Sequence, residues 1–174
     1  MTIFTFARRG SGGGGGSGAL EYVGEVSGSA TTGVTLSAIP AHESIYIEYF
    51  GTDDGVNTFL PSLRYNGDSG SNYKYVNKEA GSQSSSASAT SIQLVRQGTS
   101  NNSEYSGSAN IFDDEAEFGN EHGEVHGTFR IGSIIKYDGG GSWNNSAAIT
   151  SISLVNGNGL NAASLKLKVW IRKT

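Results

Sequence analysis

The chain has 174 residues, a formal net charge of -4 and a pI near 5.3, a balance that argues against nucleic-acid binding, which normally shows a basic surplus. Its 26 glycines, frequent Ser, Thr and Asn and only 16% charged residues exclude long helices and favour many short strands joined by tight turns. There is no cysteine, so neither a disulfide framework nor a thiolate metal site exists, and no apolar run approaches the ~18 residues that span a bilayer.

In chain order, Met1-Thr2-Ile3-Phe4-Thr5-Phe6 is an apolar peptide of strand-like composition, followed by Arg8-Arg9 and a glycine-serine run to Gly18. The run has no side chains to bury and reads as a flexible tether with a reach of roughly 15–18 Å. Large apolar residues ahead of a tether are a liability in water, so residues 1–18 are expected to form a docking arm, with Ile3, Phe4, Phe6, Arg8 and Arg9 as its contact residues; the alternative is that the segment folds back onto its own domain or is disordered. The segment is too short for a signal peptide and has its arginines on the wrong side for one, and no targeting for export is expected.

Residues 19–174 read as one domain of successive strands. These are Leu20–Val26, Gly33–Ser37, Ser44–Phe50, Pro61–Tyr65, Asn72–Val76, Ser91–Arg96, Tyr105–Phe112, Glu124–Ile131, Ser133–Tyr137, Ala148–Val155 and a last strand over 165–172. Asn66-Gly67-Asp68 and Asp138-Gly139-Gly140-Gly141 are predicted turns, and Ser82–Ser91 a polar loop. In the last strand Leu165, Leu167, Val169 and Ile171 alternate with Lys166, Lys168, Trp170 and Arg172, a period of two that puts one face in the core and one in water. That regularity predicts a strand inside a sheet. The fold class is therefore all-β: a jelly-roll-like antiparallel β-sandwich with an extended N-terminal arm.

Three stretches carry a resemblance. Thr31-Thr32-Gly33-Val34-Thr35-Leu36-Ser37-Ala38-Ile39-Pro40-Ala41 leads into Tyr46 to Phe50. Leu63-Arg64-Tyr65-Asn66-Gly67-Asp68-Ser69-Gly70-Ser71-Asn72-Tyr73 is the most distinctive. Gly141-Ser142-Trp143-Asn144-Asn145-Ser146-Ala147-Ala148-Ile149-Thr150-Ser151-Ile152-Ser153-Leu154 is the third. Together they resemble a family of tailed-phage virion structural proteins, small particle proteins or modules of tail-fibre-like and baseplate-associated proteins. The family's aromatic-glycine turn after the last strand has no counterpart in Trp170-Ile171-Arg172-Lys173-Thr174.

The resemblance implies a jelly-roll-like domain and no catalytic residues. It leads to the expectation of a non-enzymatic, multi-copy subunit on the surface of a virion, made in the host cytoplasm. Such a subunit would decorate the capsid or build a head or tail appendage, with other virion proteins and further copies of itself as partners; trimers are compatible with such folds. The alternative is a receptor-binding module of a tail fibre that grips a host glycan or protein. Neither a cofactor, nucleic acid nor membrane insertion is expected.

Several residue groups invite chemistry. Gly67-Asp68-Ser69-Gly70 looks like the nucleophile loop of trypsin-like proteases, yet only His42 lies upstream, and the tight-turn reading is preferred. Asp68, Ser69 and Asn72, with Asp53 and Asp54, offer oxygens to calcium, but at no recognised spacing. His122, Glu124 and His126 fall on one face of a strand and are weak candidates for a zinc-like ion; an exposed acidic segment is the simpler reading. The glycine run lacks the Gly-Lys-Ser/Thr ending of a phosphate loop. Acids cluster at 113–124 and bases at 166–173, a separation that could fix register between copies, although two solvated faces that never meet are the preferred reading. Tyr22, Tyr46, Tyr73, Tyr75, Trp143 and Trp170 could make a sugar platform, with core or interface roles preferred for most of them.

Overall fold

A computed structural model describes residues 18–55, 59–79, 82–94, 104–112, 122–131 and 135–173, and of 79, 82, 122–131 and 135–138 it describes the backbone alone. The described residues hold twelve strands and no helix. They are β1 (Glu21–Thr31), β2 (Gly33–Ser37), β3 (Ser44–Thr52), β4 (Pro61–Tyr65), β5 (Tyr73–Glu79), β6 (Ser82–Ala89), β7 (Ile92–Gln93), β8 (Glu104–Phe112), β9 (His122–Ile131), β10 (Ile135–Trp143), β11 (Ser151–Asn156) and β12 (Ala162–Arg172).

The strands form an eight-stranded sheet in the order β1-β12-β3-β8-β9-β10-β5-β6 and a four-stranded sheet in the order β2-β11-β4-β7. Every neighbouring pair is antiparallel. The chain crosses between sheets as it runs through β1, β2, β3 and β4, and its last two strands return between the first ones. β12 lies between β1 and β3, and β11 lies between β2 and β4. This Greek-key return is the connectivity of a jelly roll. The hairpins β5–β6 and β9–β10 extend the larger sheet beyond β8. Asn77 of β5, fully buried, donates from Nδ2 to the Gln93 carbonyl at 2.7 Å and so ties that extension back to β7 of the smaller sheet.

The core lies between the sheets and follows from alternation. Leu165, Leu167, Val169 and Ile171 of β12 are at most 1% exposed, as are Ile45, Ile47 and Tyr49 of β3. They face Leu63 and Tyr65 of β4 and Ile152 and Leu154 of β11, also buried. Each such aliphatic side chain contributes about 1.5–3 kcal/mol by leaving water. The expected burial face of the last strand, and its place inside a sheet, are both observed.

Two predicted irregular segments are strands. Ser82–Ala89, read as a loop, is strand β6, at the edge of the sheet and paired with β5 alone among the described residues. An edge strand needs no apolar alternation, because the ladder to one neighbour holds it, so its serines gave no period-two signal. Asp138-Gly139-Gly140-Gly141, read as a turn, lies within β10, paired with β5 and β9 on either side. The glycines answer crowding. A Cβ on Gly141 would stand 2.8 Å from Ile92 Cγ2, and one on Gly139 would stand 2.8 Å from the Val76 carbonyl oxygen. Gly141→Val should therefore cost roughly 1–3 kcal/mol by overpacking, read as a lowered melting temperature.

Candidate functional site

The most distinctive sequence stretch forms the link between β4 and β5. Asn66 and Gly67 take left-handed backbone angles, φ 51° and 70°, which Asn and Gly tolerate. The Asp68 amide then closes the turn on the Tyr65 carbonyl at 2.9 Å. The Asp68 carboxylate is fully engaged. Its Oδ1 accepts from the Gly70 amide at 2.8 Å; its Oδ2 accepts from Asn72 Nδ2 at 3.0 Å and from Trp143 Nε1 at 2.7 Å. The Tyr73 hydroxyl accepts from the Tyr65 amide at 3.0 Å and donates to the Asp68 carbonyl at 3.0 Å. Burial pushes that hydroxyl's pKa up to about 12, so it stays a donor throughout the physiological range.

Trp143, Tyr65 and Tyr73 are at most 1% exposed and pack together, with ring centroids 5.6 Å apart for Tyr65–Trp143 and 6.3 Å apart for the stacked Tyr73–Trp143 pair. On the other side of the turn, Asn66 Nδ2 donates to the Ala148 carbonyl at 2.8 Å. Its Oδ1 accepts from the Thr150 amide at 2.8 Å and the Ser151 amide at 3.0 Å. The second and third stretches of the family resemblance, 63–73 and 141–154, are thus one physical unit: a turn locked onto the end of β10 and the lead-in to β11.

This arrangement answers the protease-like motif. Asp68 orients no base; it holds the loop. His42 donates from Nδ1 to the Pro40 carbonyl at 2.7 Å. The loop is the tight turn expected of Asn-Gly. Burial tends to raise the Asp68 pKa, but the hydrogen bonds from Asn72, Trp143 and Gly70, with the Arg64 charge nearby, outweigh it and hold the carboxyl below its ordinary value of 3.8. Folding therefore favours the ionised form. The resulting stabilisation is fully present above that ordinary value and is lost as pH falls through the lower folded value. Asp68→Asn is expected to destabilise the fold at pH 7 by about 1.5–3 kcal/mol, the worth of charge-assisted hydrogen bonds, and to flatten the loss of stability below about pH 4 in acid titrations.

A second feature occupies the outer face of the larger sheet. Tyr22 of β1 pairs with Trp170 of β12, which pairs with Tyr46 of β3. The side chains form a continuous row, with centroids 5.4 Å apart for Tyr22–Trp170 and 5.5 Å apart for Tyr46–Trp170. Tyr22 is 53% exposed and Leu20 beside it 46%. The two carboxylates of β1 beside the row are met by lysines. Lys166 and Lys168 meet Glu25 at 3.0 and 4.0 Å, and Lys173 meets Glu21 at 2.6 Å. Pairs so exposed contribute only ~0–1 kcal/mol, so their main effect is to leave β1 without an unmatched carboxylate. Lys166, Lys168 and Lys173 thus have partners on β1; residues 113–121 of the acidic stretch lie outside the described residues.

The remaining sequence candidates fall as follows. His122, Glu124 and His126 occupy alternate positions of β9, where His126 is opposite Asn110 and Gly140, and their side chains lie outside the described part. Among the described residues no group of three His, Asp or Glu stands together as a metal cage. Asp53, 1% exposed, accepts from the Gly55 amide at 2.9 Å and the Tyr105 hydroxyl at 3.4 Å, and so serves the core, apart from the Asp68 loop. Ile3, Phe4, Phe6, Arg8 and Arg9 lie outside the described residues. The six aromatics divide. Tyr73 and Trp143 are core, Tyr75 packs against the core, and Tyr22, Tyr46 and Trp170 form the outer row.

Comparison with known proteins gave no match: no family model fits the chain, and no curated protein or solved structure is recognisably similar to it.

Proposed function

We propose that the protein is a non-enzymatic structural subunit of a bacteriophage particle, present in several copies as a capsid decoration or a head or tail appendage, and anchored through its N-terminal arm. The observation that carries the reading is the junction of the two resemblance-bearing stretches. Asn66 and Asp68 on one side and Trp143 and Thr150 on the other are bonded to each other, so the stretches on which the resemblance rests build the domain. The carboxylate of the one protease-like motif is committed to the same lock, which leaves that loop a scaffold. A rigid β-sandwich with an apolar peptide on a glycine tether suits attachment to neighbours better than catalysis.

The test is gold-labelled antibody against the body, applied to particles from a culture that makes the chain. Label at one fixed class of positions is expected. Deleting residues 1–18 should leave the cooperative melting of the body intact and abolish the label. Unlabelled particles beside abundant free protein, or normal incorporation of the truncated chain, contradict the reading.

A further inference from the structure

Resting on the multi-copy reading above, we propose that the open edge of β1 and the aromatic row beside it seat the peptide Ile3-Phe4-Thr5-Phe6 of a neighbouring copy. β1 is the terminal strand of the larger sheet, with β12 on one side and no strand on the other among the described residues. An unpaired strand edge offers a row of backbone donors and acceptors that an extended peptide can complete. Beside this edge stand Leu20 and Tyr22, the most exposed large apolar side chains of the described residues, with Trp170 and Tyr46 continuing inward. The two carboxylates of β1, Glu21 and Glu25, are already met by lysines, so that strand carries no unmatched negative charge against an apolar occupant.

The first residues of the chain have that chemistry. In an extended peptide Phe4 and Phe6 lie on one face and Ile3 and Thr5 on the other. A strand added along β1 sets two aromatic rings next to Tyr22 and leaves Arg8 and Arg9 beyond it, in water. Cross-strand aromatic neighbours of this kind lie about 4.5–5.5 Å apart at Cβ.

The point of departure fits as well. Gly18 enters β1 beside β12: a Cβ there would stand 3.6 Å from Arg172 Cγ and 3.7 Å from the Lys173 carbonyl oxygen. Trp170 is two residues away on the same strand, roughly 7 Å along it. Folding back onto its own β1 would need a turn of only about two to five residues. The sequence instead inserts Ala7 to Ala19 ahead of Leu20, and its glycine-serine part reaches roughly 15–18 Å, enough to pass the edge of its own domain and meet that of a neighbour.

The chain has no cysteine, so introduced thiols report the contact cleanly. Full-length Thr5→Cys protein is mixed with full-length Leu20→Cys protein and treated with a short bis-maleimide; both substitutions leave the aromatic residues in place. A covalent dimer joining the two different chains is expected. Leu160→Cys, 44% exposed and just before the opposite end of β12, serves in place of Leu20→Cys as the control. Its product should be roughly tenfold weaker, and adding Phe4→Ser to the Thr5→Cys chain should lower the Leu20 product by a similar factor, the usual penalty for losing an aromatic anchor.

Equal yields with Leu20→Cys and Leu160→Cys, or a Thr5→Cys/Leu20→Cys double variant that links only within itself, would overturn the proposal. So would a dimer that is insensitive to Phe4→Ser. Particles that carry the protein while the mixture gives no product would sink this inference alone and leave the structural role standing. A specific product with no protein on any particle would do the reverse.

Discussion

Leu167→Asp is expected to leave no cooperative thermal transition. Leu167 is fully buried near the middle of β12, opposite Tyr49 of β3 on one side and Val26 of β1 on the other. The substitution forfeits about 1.5–3 kcal/mol of apolar burial. It also places a carboxylate between the sheets with no donor, a cost of several kcal/mol more. Whole domains are stable by only about 5–15 kcal/mol, so the sum removes most or all of the margin. Circular dichroism on heating reads the effect. Lys168→Ser, one residue along and facing outward over Phe50, is the control and should cost no more than about 1 kcal/mol. A cooperative melt for Leu167→Asp would reverse the face assignment of the strand and, with it, the sandwich.

Trp143→Ala ranks next. The indole is 1% exposed, stacks on Tyr73 and donates to Asp68 at 2.7 Å. Truncating a buried tryptophan costs about 3–5 kcal/mol. In a domain of this size that lowers Tm by roughly 6–20 °C. Part of the loss belongs to the Asp68 bond, so Trp143→Ala and Asp68→Asn should not add. A double-mutant cycle is expected to show a coupling of about 0.5–3 kcal/mol. Additive effects would mean that the turn and the end of β10 are stabilised independently, contrary to the shared lock.

The strands were legible where one face is wet and one is buried. β12 and β3 announced themselves by alternation, and β2 and β4 were bounded by glycine, proline and the Asn-Gly turn. β6 was not legible, because a serine-rich edge strand has no apolar side to display. Gly139–Gly141 was not, because glycine signals a turn and a crowded sheet interior alike, and only the approach of Ile92 and β5 separates the two. The Asp68 turn was visible from Asn66-Gly67. Its partners Trp143 and Thr150 were not, since they arrive through the pairing of β10 with β5 and of β11 with β4.

The outer aromatic row was named within a larger set but could not be sorted from the core. A register shift in β1 between Tyr22 and Gly24 breaks the strand's period of two, so counting along the sequence does not give the face of Tyr22. Tyr73 and Trp143 belong to the inner set because β5 and β10 pair at that end, Trp143 opposite Tyr73. Faces follow from sheet order, and sheet order is long-range information.

The most direct test of the structural role is the amount of this chain in gradient-purified particles after a high-salt wash, measured by quantitative mass spectrometry against a known capsid protein. A constant ratio corresponding to several copies per particle is the expected result. A chain that washes off completely and sediments as a free monomer contradicts it.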